Sequence, residues 1–167
     1  MRNVAIEAGC STAALYRHFS GRTALLQSMW ADAVDALASR TLEVEAEVAD
    51  PIERIRAVMA AYAELAARDP DAFVSTFLQI WTPTPERLVV DEPEKHASYR
   101  VLRRAVRDAV ELGRFGQSDP DVGAQAIWAA VHGTLALPWN LGDFPFAESD
   151  VRLRTAIDIV IRGLSKA

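Results

Sequence analysis

The chain has 167 residues, 50% of them hydrophobic and 25% charged, with a formal net charge of −5 and a single cysteine, Cys10. That composition belongs to a globular protein with enough core to fold unaided, while one cysteine excludes an internal disulfide framework and the acidic balance argues against a protein that coats nucleic acid. No stretch reaches the roughly 18 apolar residues of a membrane span, and Arg2, Asn3 and Glu7 interrupt any apolar leader, so a cytoplasmic protein without membrane contact is expected.

Taken in chain order, the segments read as helices punctuated by Gly and Pro. Arg2–Ala8 forms a short helix ended by Gly9; Cys10 and Ser11 make a tight turn in which Ser11 is an N-cap; a second short helix runs over Thr12–Phe19 and breaks at Ser20-Gly21. A long helix follows over Arg22–Val48, with Leu25, Leu26, Met29, Trp30, Val34, Leu37 and Leu42 on its apolar stripe. Asp50-Pro51 opens the next helix with proline at its first position, carrying Ile52, Ile55, Val58, Met59, Tyr62 and Leu65 inward. Beyond Asp69-Pro70, an aromatic helix holds Phe73, Val74, Phe77, Leu78, Ile80 and Trp81, and Thr82–Asp91 is a loop.

Glu94–Phe115 is the next helix, closed by Gly113 and Gly116; another starts at Asp119-Pro120 and runs until Pro138; residues 139–147 form a loop, and a last helix spans Ala147–Ser165. No period-two pattern competes, so eight helices with short connections predict an all-α bundle. The boundary falls near residue 30, where a small head (1–30) gives way to a larger body (31–167). The head holds Arg2, Arg17 and Arg22 against Glu7, a net of +2, so the remainder carries −7. A basic end on an acidic body suits phosphate contact at that end only.

Two short helices meeting at a glycine turn, with Leu15 and Phe19 inward and the N-terminus of the second helix free, have the form of a helix-turn-helix unit. Over some twenty-three residues the segment closely resembles the TetR/AcrR family of regulators. In that family an Ala-Gly-Val-Ser turn precedes a helix reading Leu-Tyr-x-His-Phe, then a basic residue and Leu-Leu. Here the sequence reads Ala8-Gly9-Cys10-Ser11, Leu15-Tyr16-Arg17-His18-Phe19, Arg22 and Leu25-Leu26. Trp128, His132 and Gly133 resemble the Trp-x-x-x-His-Gly signature of one C-terminal branch of the family.

The resemblance implies a homodimer that binds double-stranded operator DNA, faces bases or nearby backbone with Ser11, Thr12 and Ala13, and holds phosphates with Tyr16, His18 and Arg22, with Arg17 also on the DNA-binding side. It also implies a further helix ahead of Arg2 that would brace this unit. Without that brace Val4, Ile6, Leu15 and Phe19 would lose cover worth about 3–6 kcal/mol for two such side chains, giving a truncated, mobile head.

For the body, Met59, Tyr62, Phe77, Trp81, Leu102, Trp128 and His132, with Phe73, Tyr99 and Trp139 nearby in type, are candidates to line an apolar effector cavity. The last two helices are expected to form a four-helix dimer interface through Ile127, Ala130, Val131 and Thr134 on one, and Leu153, Ile157, Val160, Ile161 and Leu164 on the other. Histidines at 18, 96 and 132 with one distant cysteine offer no metal spacing, no cofactor is expected, and no arrangement of nucleophile, base and acid suggests an enzyme. The expected function is a ligand-responsive repressor released from DNA by a small apolar effector. The competing reading is a helical dimer that senses or sequesters a hydrophobic ligand without binding DNA.

Overall fold

A computed structural model describes residues 1–70, 73–74, 96–117 and 119–166. Among the described residues there are seven helices: α1 (Arg2–Glu7), α2 (Thr12–His18), α3 (Arg22–Glu47), α4 (Pro51–Arg68), α5 (Ala97–Glu111), α6 (Pro120–Asn140) and α7 (Ser149–Leu164). The protein is all-α, and the one extended pairing among them is an isolated bridge between Phe115 and Ser165. Phe73 and Val74 of the expected aromatic helix are helical. Phe77, Leu78, Ile80, Trp81, the loop Thr82–Asp91 and the side chains of Leu26, Met29 and Trp30 lie outside the described residues.

Helix boundaries follow local chemistry. The Asp50 carboxylate accepts from the backbone N–H groups of Ile52 and Glu53 at 2.9 and 3.0 Å. Asp119 accepts from that of Asp121 at 2.8 Å, and each of these helices has proline in its first turn, where a missing N–H costs nothing. α6 does not stop at Pro138 as expected but continues to Asn140. Proline cannot donate to the carbonyl four residues back, which here is Thr134. Arg152 fills the gap, its guanidinium donating to the Thr134 carbonyl at 2.8 Å and to the Ala147 carbonyl at 2.8 Å, while lying 5.0 Å over the Phe146 ring. One side chain of α7 therefore repairs the turn that proline damages in α6.

The core joins Ile55, Val58, Met59 and Tyr62 of α4 to Val101, Leu102, Ala105, Val106 and Ala109 of α5, and to Ala124, Ile127 and Val131 of α6 and Ile157 and Ile161 of α7. α5 and α6 approach so closely at Gly123 that a Cβ there would stand 2.8 Å from Val106 Cγ1. α6 and α7 form an antiparallel hairpin: Thr134 pairs with Arg152 at one end, and Gly123 lies near Leu164 at the other. Among the described side chains of α3, the buried ones are Leu37, Thr41 and Val44. Leu42, expected on the inward stripe, is 41% exposed instead. The inward stripe runs 37, 41, 44, 48, and Leu42 lies about 100° off it, because each helical residue advances by that angle.

α3 links head and body. Its C-terminal end is held by Arg104 to Glu45 at 3.0 Å and by the nearly buried Arg54, which donates to the Val48 and Ala49 carbonyls and to Asp108 at 2.9 Å.

Candidate nucleic-acid interface and effector site

The head presents one exposed polar surface. Gly9 takes φ +63, a left-handed conformation open to glycine, and lets the chain reverse so that the Cys10 N–H reaches the Ala5 carbonyl at 2.9 Å. Ser11 then caps α2 by accepting from the Ala14 N–H at 3.1 Å. This places Ala14, Leu15 and Phe19 on the half-buried side and Ser11, Ala13, Tyr16, Arg17 and His18 on the exposed side, with Thr12 between them and Arg22 exposed one turn beyond. Tyr16, Arg17, His18 and Arg22 make no hydrogen bond or ion pair to a described residue. In the body, by contrast, Arg40, Arg54, Arg56, Arg103, Arg104, Arg107, Arg114 and Arg154 all engage carboxylates. Among the described residues these donors of the head are unspent. Apolar Val4 and Ile6 on α1 are exposed, at 41% and 66%.

In the body, three elements bring an aromatic cluster together around one hydroxyl. Tyr62 of α4 is 3% exposed, and its hydroxyl lies 2.9 Å from His132 Nδ1 on α6. Trp128 stands one turn before His132 on the same helix. Buried Phe73 stacks edge-on to Tyr62 at 5.6 Å and lies 6.1 Å from the His132 ring. Tyr99 of α5 sits 6.5 Å from Trp128 and donates to Asp121 at 2.7 Å, where Arg103 also binds at 2.9 Å.

Burial pushes the Tyr62 phenol well up, so it stays a hydroxyl, and it pushes His132 below the usual histidine range, so the imidazole is neutral at pH 7. Asp121 is held below the usual carboxylate range by the Tyr99 hydroxyl first and by Arg103 second.

Of the expected effector residues, Tyr62 and His132 are therefore in contact, Trp128 lies one turn before His132 on α6, and Met59 and Leu102 are buried in the same core; Phe77 and Trp81 lie outside the described residues. Trp139 is 52% exposed and lines an open groove of about 670 Å³ with Ala63, Leu135 and Leu153. The Asp121, Arg103 and Gln125 rim was missed by the sequence reading, although Asp121, Gln125, Trp128 and His132 follow each other at helical spacing. Among the described residues no group of three or more metal-ligating side chains forms.

Four of the nine expected dimer residues are placed in the core. Ile127, Val131, Ile157 and Ile161 are buried inside the protomer, because α6 and α7 turn these side chains onto α4, α5 and each other. Leu153, Val160 and Leu164 pack against the same core, and Ala130 and Thr134 are half-buried. The outward apolar residues lie one register over: Val122, Ala126, Ala129 and Leu137 along α6, and Val151 and Ile159 along α7.

A family model described as tetracyclin repressor-like, C-terminal domain, matches residues 48–136, slightly more than half of the chain. The chain belongs to the TetR/AcrR family. Solved structures agree. A protein of unknown function from a Rhodococcus species is 27% identical with a TM-score of 0.73, over 99% of this chain and 84% of that one. The TetR family transcriptional regulator PfmR from Thermus thermophilus is 26% identical with a TM-score of 0.71, over 99% and 88%. AibR, solved in complex with isovaleryl coenzyme A and operator DNA, shares the fold at 21% identity and a TM-score of 0.71, over 95% and 84%. No curated protein matches significantly. As a TetR/AcrR member the chain is a transcriptional regulator, not an enzyme. Among the described residues no helix is long and apolar enough to cross a membrane.

Proposed function

We propose that this TetR/AcrR regulator binds operator DNA as a homodimer and is released by a small apolar effector held beside Tyr62, Trp128 and His132. The observation that carries the DNA reading is the set of exposed, unspent donors Tyr16, Arg17, His18 and Arg22 on and beside a capped helix whose N-terminus is free. Such donors suit phosphate oxygens on either side of a major groove, with Ser11, Thr12 and Ala13 at the helix start nearest the base edges. AibR, a protein of the same fold, accommodates an acyl thioester and operator DNA together, which supports one fold serving both tasks.

The outward stripes of α6 and α7 support dimerisation. Val122, Leu137, Val151 and Ile159 are 62%, 46%, 46% and 61% exposed, and small Ala126, Ala129 and Gly133 between them allow close helix approach. A two-fold four-helix contact through this face would set two α2 helices about 34–36 Å apart, one turn of DNA. α3 then provides the coupling: its C-terminal half is packed on α4 and α5, and its N-terminus leads directly into the head. A ligand that shifts α4 against α6 displaces α3, and with it α2.

Fluorescence anisotropy with DNA from the gene's own upstream region tests the reading. Arg17→Ala and His18→Ala are expected to weaken binding, and removing a phosphate contact lowers the salt slope by about one. Full binding by a double variant, or no salt dependence, would overturn it.

A further inference from the structure

The groove of about 670 Å³ beside Trp139 runs between α4 and the α6–α7 hairpin, and its size is that of a small-molecule pocket. It lies on the far side of α4 from the Tyr62 cluster. Ala60, Ala63, Glu64 and Ala67 form one stripe centred roughly 150° around the helix from Tyr62, because each residue advances by about 100°. Three of these four are alanines, so α4 leaves room there instead of filling it. Leu135 and Leu153, partly buried against the core, supply the apolar floor, and Trp139 adds a half-exposed indole ring. Three charged side chains also line the groove, Glu64, Asp150 and Arg152, with a net charge of −1. Arg152 is spent on the Thr134 and Ala147 carbonyls and lies over the Phe146 ring. Asp150 is paired with Arg154 at 2.8 Å. Glu64 makes no hydrogen bond or ion pair with a described residue, so one carboxylate of the groove is uncommitted.

The geometry points to a second binding site in this groove, for a hydrophobic cation: an ammonium group drawn to Glu64 and to the Trp139 ring, with its apolar chain along the alanine stripe. A carboxylate and the negative face of an indole both attract a cation, and a quaternary ammonium asks for no hydrogen-bond acceptor beyond them. An anionic amphiphile would meet Glu64 and Asp150 as like charges and find the one lining cation, Arg152, already engaged. A neutral amphiphile would gain the apolar contact alone. The site uses neither Tyr62 nor His132, so it stands apart from the effector reading above and does not depend on it.

The test is isothermal titration calorimetry on the full chain with octyltrimethylammonium, 1-octanol and octyl sulfate, three probes that share one alkyl chain. The ammonium is expected to bind about tenfold more tightly than octanol, the scale of a cation–π contact and an exposed ion contact together, with octyl sulfate weakest. Glu64→Gln, which keeps the side-chain shape and removes the charge, should cut that preference to about threefold, and Trp139→Leu, which keeps an apolar side chain and removes the ring face, should cut it likewise. Ala67→Leu, which fills the groove from an exposed position, should weaken the ammonium about tenfold. Octyl sulfate or octanol binding as tightly as the ammonium, a preference untouched by Glu64→Gln, full binding by Ala67→Leu, or no saturable binding of the ammonium would each overturn the inference. Should Trp139→Leu or Ala67→Leu fail to fold, the order of the three probes on the wild type and on Glu64→Gln decides, since Glu64 is an exposed residue that touches no described partner. Anisotropy on the same preparation keeps the two claims separate. Lost DNA binding with an intact ammonium preference counts against the regulator reading alone, and intact DNA binding without that preference overturns this inference alone.

Discussion

At Gly123 the requirement for glycine is steric rather than conformational. Its φ is not in the left-handed region, but a Cβ would stand 2.8 Å from Val106 Cγ1, and Val106 is fully buried. Gly123→Ala should therefore destabilise the protein by about 1–3 kcal/mol, as overpacking does, and trimming the opposing side chain in Gly123→Ala/Val106→Ala should recover part of the loss. Urea melts read both. His132 gives a second expectation at this scale. Burial lowers its folded pKa beneath the unfolded value near 6.5, so below that pH the unfolded chain binds a proton that the folded chain resists. Stability is then fully present above pH 6.5 and is lost as pH falls toward the folded pKa. Melting temperatures taken from pH 7.5 to 5.5 should drop for the wild type and drop less for His132→Gln; equal slopes would remove His132 from the account. The i,i+4 pairing of Trp128 and His132 was legible in the sequence. Their meeting with Tyr62 was not, because 70 residues separate Tyr62 from His132 and periodicity carries no information about which helix faces which.

Among the elements, caps were the most legible feature. Ser11, Asp50-Pro51 and Asp119-Pro120 begin helices where the sequence places them, because the bonds that form a cap are made within three residues. The end of α6 was not legible at Pro138, since the carbonyl that proline orphans is satisfied by Arg152, which lies 18 residues further on. Arg152→Leu leaves the Thr134 and Ala147 carbonyls without this donor and is expected to cost about 1–3 kcal/mol, with the loss visible as earlier hydrogen exchange in the last turn of α6. An unchanged exchange pattern would mean that solvent, not Arg152, serves those carbonyls. In α3 the sequence located the helix but chose Leu42 over Thr41, because hydropathy ranks leucine above threonine. The buried threonine resolves its polarity locally, donating to the Ala38 carbonyl at 3.0 Å.

On the scale of the whole molecule, the question is which apolar surface is used twice. α6 is apolar nearly all round: one side packs in the protomer core through Ile127 and Val131, and the other shows Val122, Ala126, Ala129 and Leu137 to the outside. A helix apolar on every face needs a second cover. Leu137→Glu together with Ile159→Glu should yield a folded monomer by analytical ultracentrifugation, with operator affinity falling at least tenfold because each half-site is then bound alone. A dimer that survives both charges would locate the interface elsewhere.

The sequence by itself determined the all-α class, the helix-turn-helix and its polar residues, the family, and the residue types of the aromatic cluster in the body. These depend on short-range rules: 3.6-residue periodicity, glycine at a left-handed turn, and side chains that cap within one turn. The tertiary structure alone decided that Ile127, Val131, Ile157 and Ile161 belong to the protomer core, that the outward stripes lie one register over, and that Tyr62 meets His132. The physical reason is that hydrophobicity fixes whether a side chain is covered, while only the packing of distant helices fixes what covers it.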